Sequence, residues 1–175
     1  MILKILRKKF LEREIKKRLK DRLPIHEGRP LRTLGVVINA MEFKQVEVFE
    51  NLANVLHILN KDIKIIYYKE ENINLPTLEQ NSFTPKDFNW KGLMTKPAIL
   101  EFLDREYDVF ICYSSADSVF IDFIVSQAKA TLKVGLDGAN AALFDLIFKI
   151  KTNQYALFEK ELTKYLQIIN KDNKN

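Results

Sequence analysis

A chain of 175 residues, 47% hydrophobic and 29% charged, suits one globular domain plus an appendage, since two cores of ordinary size would each lack apolar surface. Its single cysteine, Cys112, excludes an internal disulfide, and no apolar run reaches the length of a transmembrane helix. The net charge of +5 is unevenly placed: residues 1–22 hold ten Lys/Arg against three Asp/Glu, a net of +7, and the remaining chain nets −2.

Residues 1–23 read as a basic amphipathic helix. Leu3, Leu6 and Phe10 share one face, and Leu11, Ile15 and Leu19 form a second row rotated from it. Lys4 and Arg7 break the opening apolar run and no small-residue cleavage site follows, which argues against a secretory signal and for a cytoplasmic protein. Residues 24–30, with Pro24 and Gly28-Arg29-Pro30, read as a linker. A strand is predicted over residues 31–39, whose nearly continuous Leu34, Val36, Val37 and Ile38 mark a central parallel strand. A helix over 43–59 follows, presenting Phe49, Leu52, Ala53, Leu56 and Leu59, and then a strand over 62–69.

Residues 70–95 are polar, contain Pro76 and Pro85, and read as a long loop with room for a short strand or turn. Pro97 opens a short helix ending near Arg105. Further predicted elements are a strand over 107–113, a helix over 119–130 capped by Asp117 or Ser118, a strand over 132–136 and a fifth over 146–150. A final amphipathic helix over 153–170 leaves 171–175 as a polar tail. Strands alternating with helices give an α/β class: a three-layer Rossmann-like domain over residues 31–170, with a mostly parallel sheet of four or five strands.

Ligands of such sheets bind beyond the carboxyl ends of the strands, where strand order reverses. Ser114, Ser115 and Asp117 stand there between a strand and a helix N-terminus, suited to an anion or simply to capping. Asp137 and Asn140, in Leu136-Asp137-Gly138-Ala139-Asn140, offer a cleft acid or ordinary turn chemistry. The five glycines match neither G-x-G-x-x-G nor a P-loop. His26, His57 and Cys112 form no metal set or nucleophile–base triad. No cofactor, no metal and no catalytic set is therefore expected.

Phe83, Lys86, Phe88, Trp90 and Lys91 form either an aromatic–basic lip over a ligand or a satellite core that pins the loop. The first helix offers Arg7, Lys8, Arg13, Lys16, Lys17 and Lys20 to an acidic macromolecule, protein or nucleic acid, or to an anionic membrane. Otherwise it packs Leu6, Phe10 and Ile15 on the body or on a second copy.

Taken together, the basic helix, LGVVIN, FTPKDFNWKG, YDVFICY and LKVGLDG resemble an uncharacterised domain-of-unknown-function family of Bacteroidota, over most of the chain. That resemblance implies a cytoplasmic α/β protein and brings no catalytic residues. Residues 107–138 are also similar to the end of the amino-terminal half of heptosyltransferase-type glycosyltransferases, whose machinery needs a second Rossmann half. Residues 107–117 are similar to the opening strand of TIR domains. The leading expectation is a non-enzymatic binding module with an acidic partner. The alternative is a small ligand-binding protein or divergent enzyme that recognises a phosphate-bearing metabolite, a nucleotide or nucleotide sugar. A homo-oligomer seamed by the helix is the third.

Overall fold

The computed structural model describes residues 2–20, 31–45, 47–70 and 79–172. Helix α1 (Ile2–Lys20) precedes β1 (Leu34–Asn39), α2 (Val48–Val55), β2 (Ile63–Tyr68) and the two-residue β3 (Ser82–Phe83). Then come α3 (Pro97–Asp104), β4 (Glu106–Tyr113), α4 (Val119–Gln127), β5 (Lys129–Leu136), β6 (Leu146–Phe148) and α5 (Tyr155–Asp172). The expected linker at 24–30 lies outside the described residues, as do the last three residues of the expected tail.

The strands form one six-stranded sheet in the order β3-β2-β1-β4-β5-β6, every neighbour parallel. This is the strand order of a Rossmann-like domain. Its central strands are buried on both faces, as their continuous apolar runs require. On one face Leu34, Val36, Ile38, Ile111 and Val134 pack under α2 and α5, around Phe43, Phe49, Tyr113 and Phe158. On the other, Val37, Phe110 and Cys112 pack under α1, α3 and α4. Gly35 is needed on this second face, because a Cβ there would lie 2.9 Å from the Tyr107 ring.

Several boundaries differ from the sequence expectation. The helix expected from 43 begins at Val48, because Glu42 and Phe43 turn the chain back on the Asn39 carbonyl, both N–H groups bonding it at 3.0 Å. It ends at Val55, and His57 adopts φ 58° just beyond. Of its expected face, Leu59 is 61% exposed. The helix expected to reach Ala130 stops at Gln127, since Lys129 and Ala130 pair with Glu106 and Tyr107 in the sheet. Strand pairing outweighs the helix propensity of Ala and Lys here. The long loop holds β3, whose Ser82 and Phe83 pair with Tyr67 and Tyr68. Helix α5 runs through Asp172, two residues into the expected tail.

Candidate functional site

Strand order reverses between β1 and β4, and the crevice at their carboxyl ends is filled from within. Glu42, delivered by the turn after β1, reaches the β4–α4 loop. Its Oε2 accepts the Ser115 N–H at 2.7 Å and the Ser115 hydroxyl at 3.1 Å. Its Oε1 accepts from Asn39 Nδ2 at 3.1 Å and from the Ser114 hydroxyl at 3.4 Å. The Ser114 oxygen also accepts the Ala116 N–H at 3.2 Å. The donors that suit a bound anion are thus engaged by a carboxylate of the chain itself. Nothing local in the sequence links Glu42 to a partner 73 positions away.

The other rim residues gather around this loop without converging on one point. Gly138, at φ 89°, lets the β5 turn pass so close that a Cβ would sit 2.9 Å from the Ser115 carbonyl oxygen. Asn140 donates to Asp122 Oδ2 at 3.3 Å and accepts from the Ala142 N–H at 3.3 Å. Burial holds the Asp122 carboxyl above its ordinary range; the Asn140 hydrogen bond opposes this and the Asp117 charge adds to it. Asp117 and Asp137 point to solvent. Ser118, rather than Asp117, caps α4, accepting the Ile121 N–H at 3.4 Å. Cys112 is buried, and desolvation pushes its thiol far up, out of the reactive range. No group of three or more His, Cys, Asp or Glu among the described residues is placed to hold a metal.

The aromatic–basic stretch divides in two. Phe83 and Phe88 are core residues, and Phe88 meets the rings of Phe83, Phe120 and Phe123 at 6.3, 5.1 and 5.5 Å. A capping box between Thr84 and Asp87 fixes the turn that contains the exposed Lys86. Trp90 is 65% exposed, with the Lys91 ammonium 5.1 Å from its ring centroid.

Helix α1 lies against this same turn. Leu11 and Ile15 are buried and Leu19 packs beside them. Leu11 closes on Gly92, where a Cβ would come within 3.2 Å of its Cγ. Arg7 donates to the Phe88 carbonyl at 3.4 Å and stands 5.5 Å over the Phe120 ring. The row that packs is therefore Leu11–Ile15–Leu19, whereas Leu6 and Phe10, expected against the body, are 46% and 37% exposed. Lys8, Lys9, Arg13, Lys16, Lys17, Arg18 and Lys20 are exposed, and among the described residues none takes part in an ion pair. Lys9, Arg13, Lys16 and Lys20 follow helical spacing and form one outward row.

A further cavity, of about 370 Å³, opens at the outer edge of β2 between α2 and α3, lined by Glu50, Ile65, Tyr67, Glu101 and Arg105 among others. Burial pushes the Tyr67 hydroxyl up to about 12, with Glu50 and Glu47 adding to the effect. The Arg105–Glu101 pair at 2.9 Å is a surface contact of little energetic weight.

The model of a family of unknown function, DUF6913, matches residues 7–169. No curated protein and no solved structure matches the chain.

Proposed function

The chain belongs to DUF6913, a family of unknown function, and from that premise we propose that it is a non-enzymatic binding module that docks an acidic partner through the outer face of α1. One observation carries the reading: the row Lys9, Arg13, Lys16, Lys20, with Lys8, Lys17 and Arg18 around it, is exposed and free of ion pairs among the described residues. Like charges at this spacing weaken a helix by roughly 0.2–0.5 kcal/mol per pair. The rest of the chain nets only −2, too little acid to neutralise seven cations. Leaving them bare fits a partner that supplies the anions. Anchoring by Leu11 and Ile15 holds the cations in a fixed pattern, so binding gives up little further ordering entropy.

A cytoplasmic setting accords with this reading, since the one thiol is buried and unpaired. The competing reading, a nucleotide or nucleotide sugar at Ser114, Ser115, Asp117, Asp137 and Asn140, has first to displace Glu42 from Ser115. The test is affinity purification of the tagged full-length protein from its own cells, beside Lys9→Glu/Arg13→Glu/Lys16→Glu/Lys20→Glu. Material released by raised salt from the wild type should be missing from the variant. Identical co-purifying material from both proteins would end the proposal.

A further inference from the structure

We infer that the acidic partner is the headgroup surface of an anionic lipid bilayer, met with α1 lying flat and the turn at residues 90–93 dipping in beside it; this rests on the basic-face reading above. The helix and the turn form one surface. Gly92 packs on Leu11, and Phe88 receives the Arg7 hydrogen bond. Trp90 and Leu93, 65% and 48% exposed, flank the Gly92 that packs on Leu11, and on α1 Leu6 and Phe10, 46% and 37% exposed, are the chain neighbours of Arg7 and Leu11.

The turn that exposes Trp90 is well braced. Asn89 and Leu93 exchange a main-chain bond at 2.9 Å and a side-chain bond at 3.0 Å, Gly92 N–H reaches the Asn89 carbonyl at 2.9 Å, and Phe88 bridges to Met94. The exposure of this tryptophan is thus built into the fold. Four large exposed apolar side chains on one helix and the turn packed against it, with seven cations that join no ion pair among the described residues, are more than the scattered exposure of an ordinary surface.

The composition favours lipid over nucleic acid. Single-stranded nucleic acid uses aromatic faces for stacking and cations for phosphates, but Leu6 and Leu93 offer aliphatic bulk that no base requires. A bilayer interface uses every member of the set: Trp and Phe at headgroup depth, Leu just beneath, and Lys/Arg against lipid phosphates. Attachment is shallow, because the second apolar row of α1 is committed to the core. Among the described residues no helix is long and apolar enough to cross a membrane.

Trp90 is the sole tryptophan, so its emission reports insertion directly. Full-length protein is titrated with phosphatidylcholine vesicles with and without phosphatidylserine, and binding to heparin is measured in parallel. The expected result is a blue shift and co-sedimentation with the phosphatidylserine vesicles alone, reversed by salt. Leu6→Gln/Phe10→Gln should lower vesicle affinity several-fold and leave heparin affinity unchanged, with thermal unfolding confirming that the variant is folded. Heparin binding without vesicle binding overturns the lipid inference and leaves the basic-face reading standing. Binding to neither overturns both. Vesicle binding with no Trp90 shift and no effect of Leu6→Gln/Phe10→Gln overturns the inference as stated.

Discussion

Replacing Glu42 by Ala probes the filled crevice. The carboxylate engages the Ser115 N–H at 2.7 Å, the Ser115 hydroxyl and Asn39 Nδ2 at 3.1 Å, and the Ser114 hydroxyl at 3.4 Å. A hydrogen bond to a charged group contributes about 1.5–3 kcal/mol net, and a contact as long as the last adds little. Glu42 is partly exposed, so water replaces it at some of these donors. Asn39 and Ser114, however, are 3% and 2% exposed and lose a partner that water does not readily reach.

The expected loss is about 2–3 kcal/mol, which for a domain of this size lowers Tm by roughly 4–12 °C. Urea unfolding should show a lower midpoint at unchanged slope, and Glu42→Gln, which keeps an acceptor without the charge, should fall between. Phosphate or formate should restore part of the lost stability by occupying the vacated place, following the mass-action form of ligand stabilisation, and should leave the wild type unmoved. A Glu42→Ala protein within about 0.5 kcal/mol of the wild type, the range of a neutral surface change, would refute the clamp. So would equal stabilisation of the wild type by phosphate, since the anion place would then be open with Glu42 present.

Asp108 ties the chain into β1, its Oδ2 accepting the Arg32 N–H at 2.8 Å, the Thr33 N–H at 2.9 Å and the Thr33 hydroxyl at 3.0 Å. Asp108→Ala should cost about 2 kcal/mol in urea unfolding and speed amide exchange at Arg32 and Thr33; unchanged exchange would contradict this. Gly35→Ala drives a Cβ to 2.9 Å from the Tyr107 ring and should destabilise by about 1–3 kcal/mol, read by calorimetry; a neutral result would mean the ring has room to move. Burial raises the folded pKa of Asp122 above its unfolded value. Between those two values the native state keeps a proton that the unfolded chain has released, so stability falls as pH rises through that window. Asp122→Asn should remove that decline, and a stability–pH curve identical to the wild type would assign it elsewhere.

The sheet was largely legible in the sequence because its central strands are apolar on both faces. Leu34, Val36, Val37 and Ile38 admit few other settings. Helix ends were less legible, since they are fixed by distant partners: Lys129 and Ala130 join β5 through Glu106 and Tyr107, and no local signal records that. The long loop has room for a short strand in the sequence reading, but the two residues of β3 are too few to carry a period that would place it. In α1 the basic composition was plain, but two apolar rows competed, and packing against α4 and the turn at Gly92 selects the Leu11 row. The aromatic stretch could not be divided in advance, because Phe88 and Trp90 differ in what packs above them rather than in type. Ser114 and Ser115 stand out in the sequence as anion donors, whereas nothing near Glu42 marks it as the carboxylate that engages them.

Binding of an acidic partner by charge on the outer face of α1 is read from the affinity of the full-length protein for a fluorescent polyanion as a function of salt. Log affinity should fall linearly with log salt. The slope should collapse in Lys9→Glu/Arg13→Glu/Lys16→Glu/Lys20→Glu while the fold is kept. Affinity that ignores salt, or that survives reversal of those four charges, would contradict it.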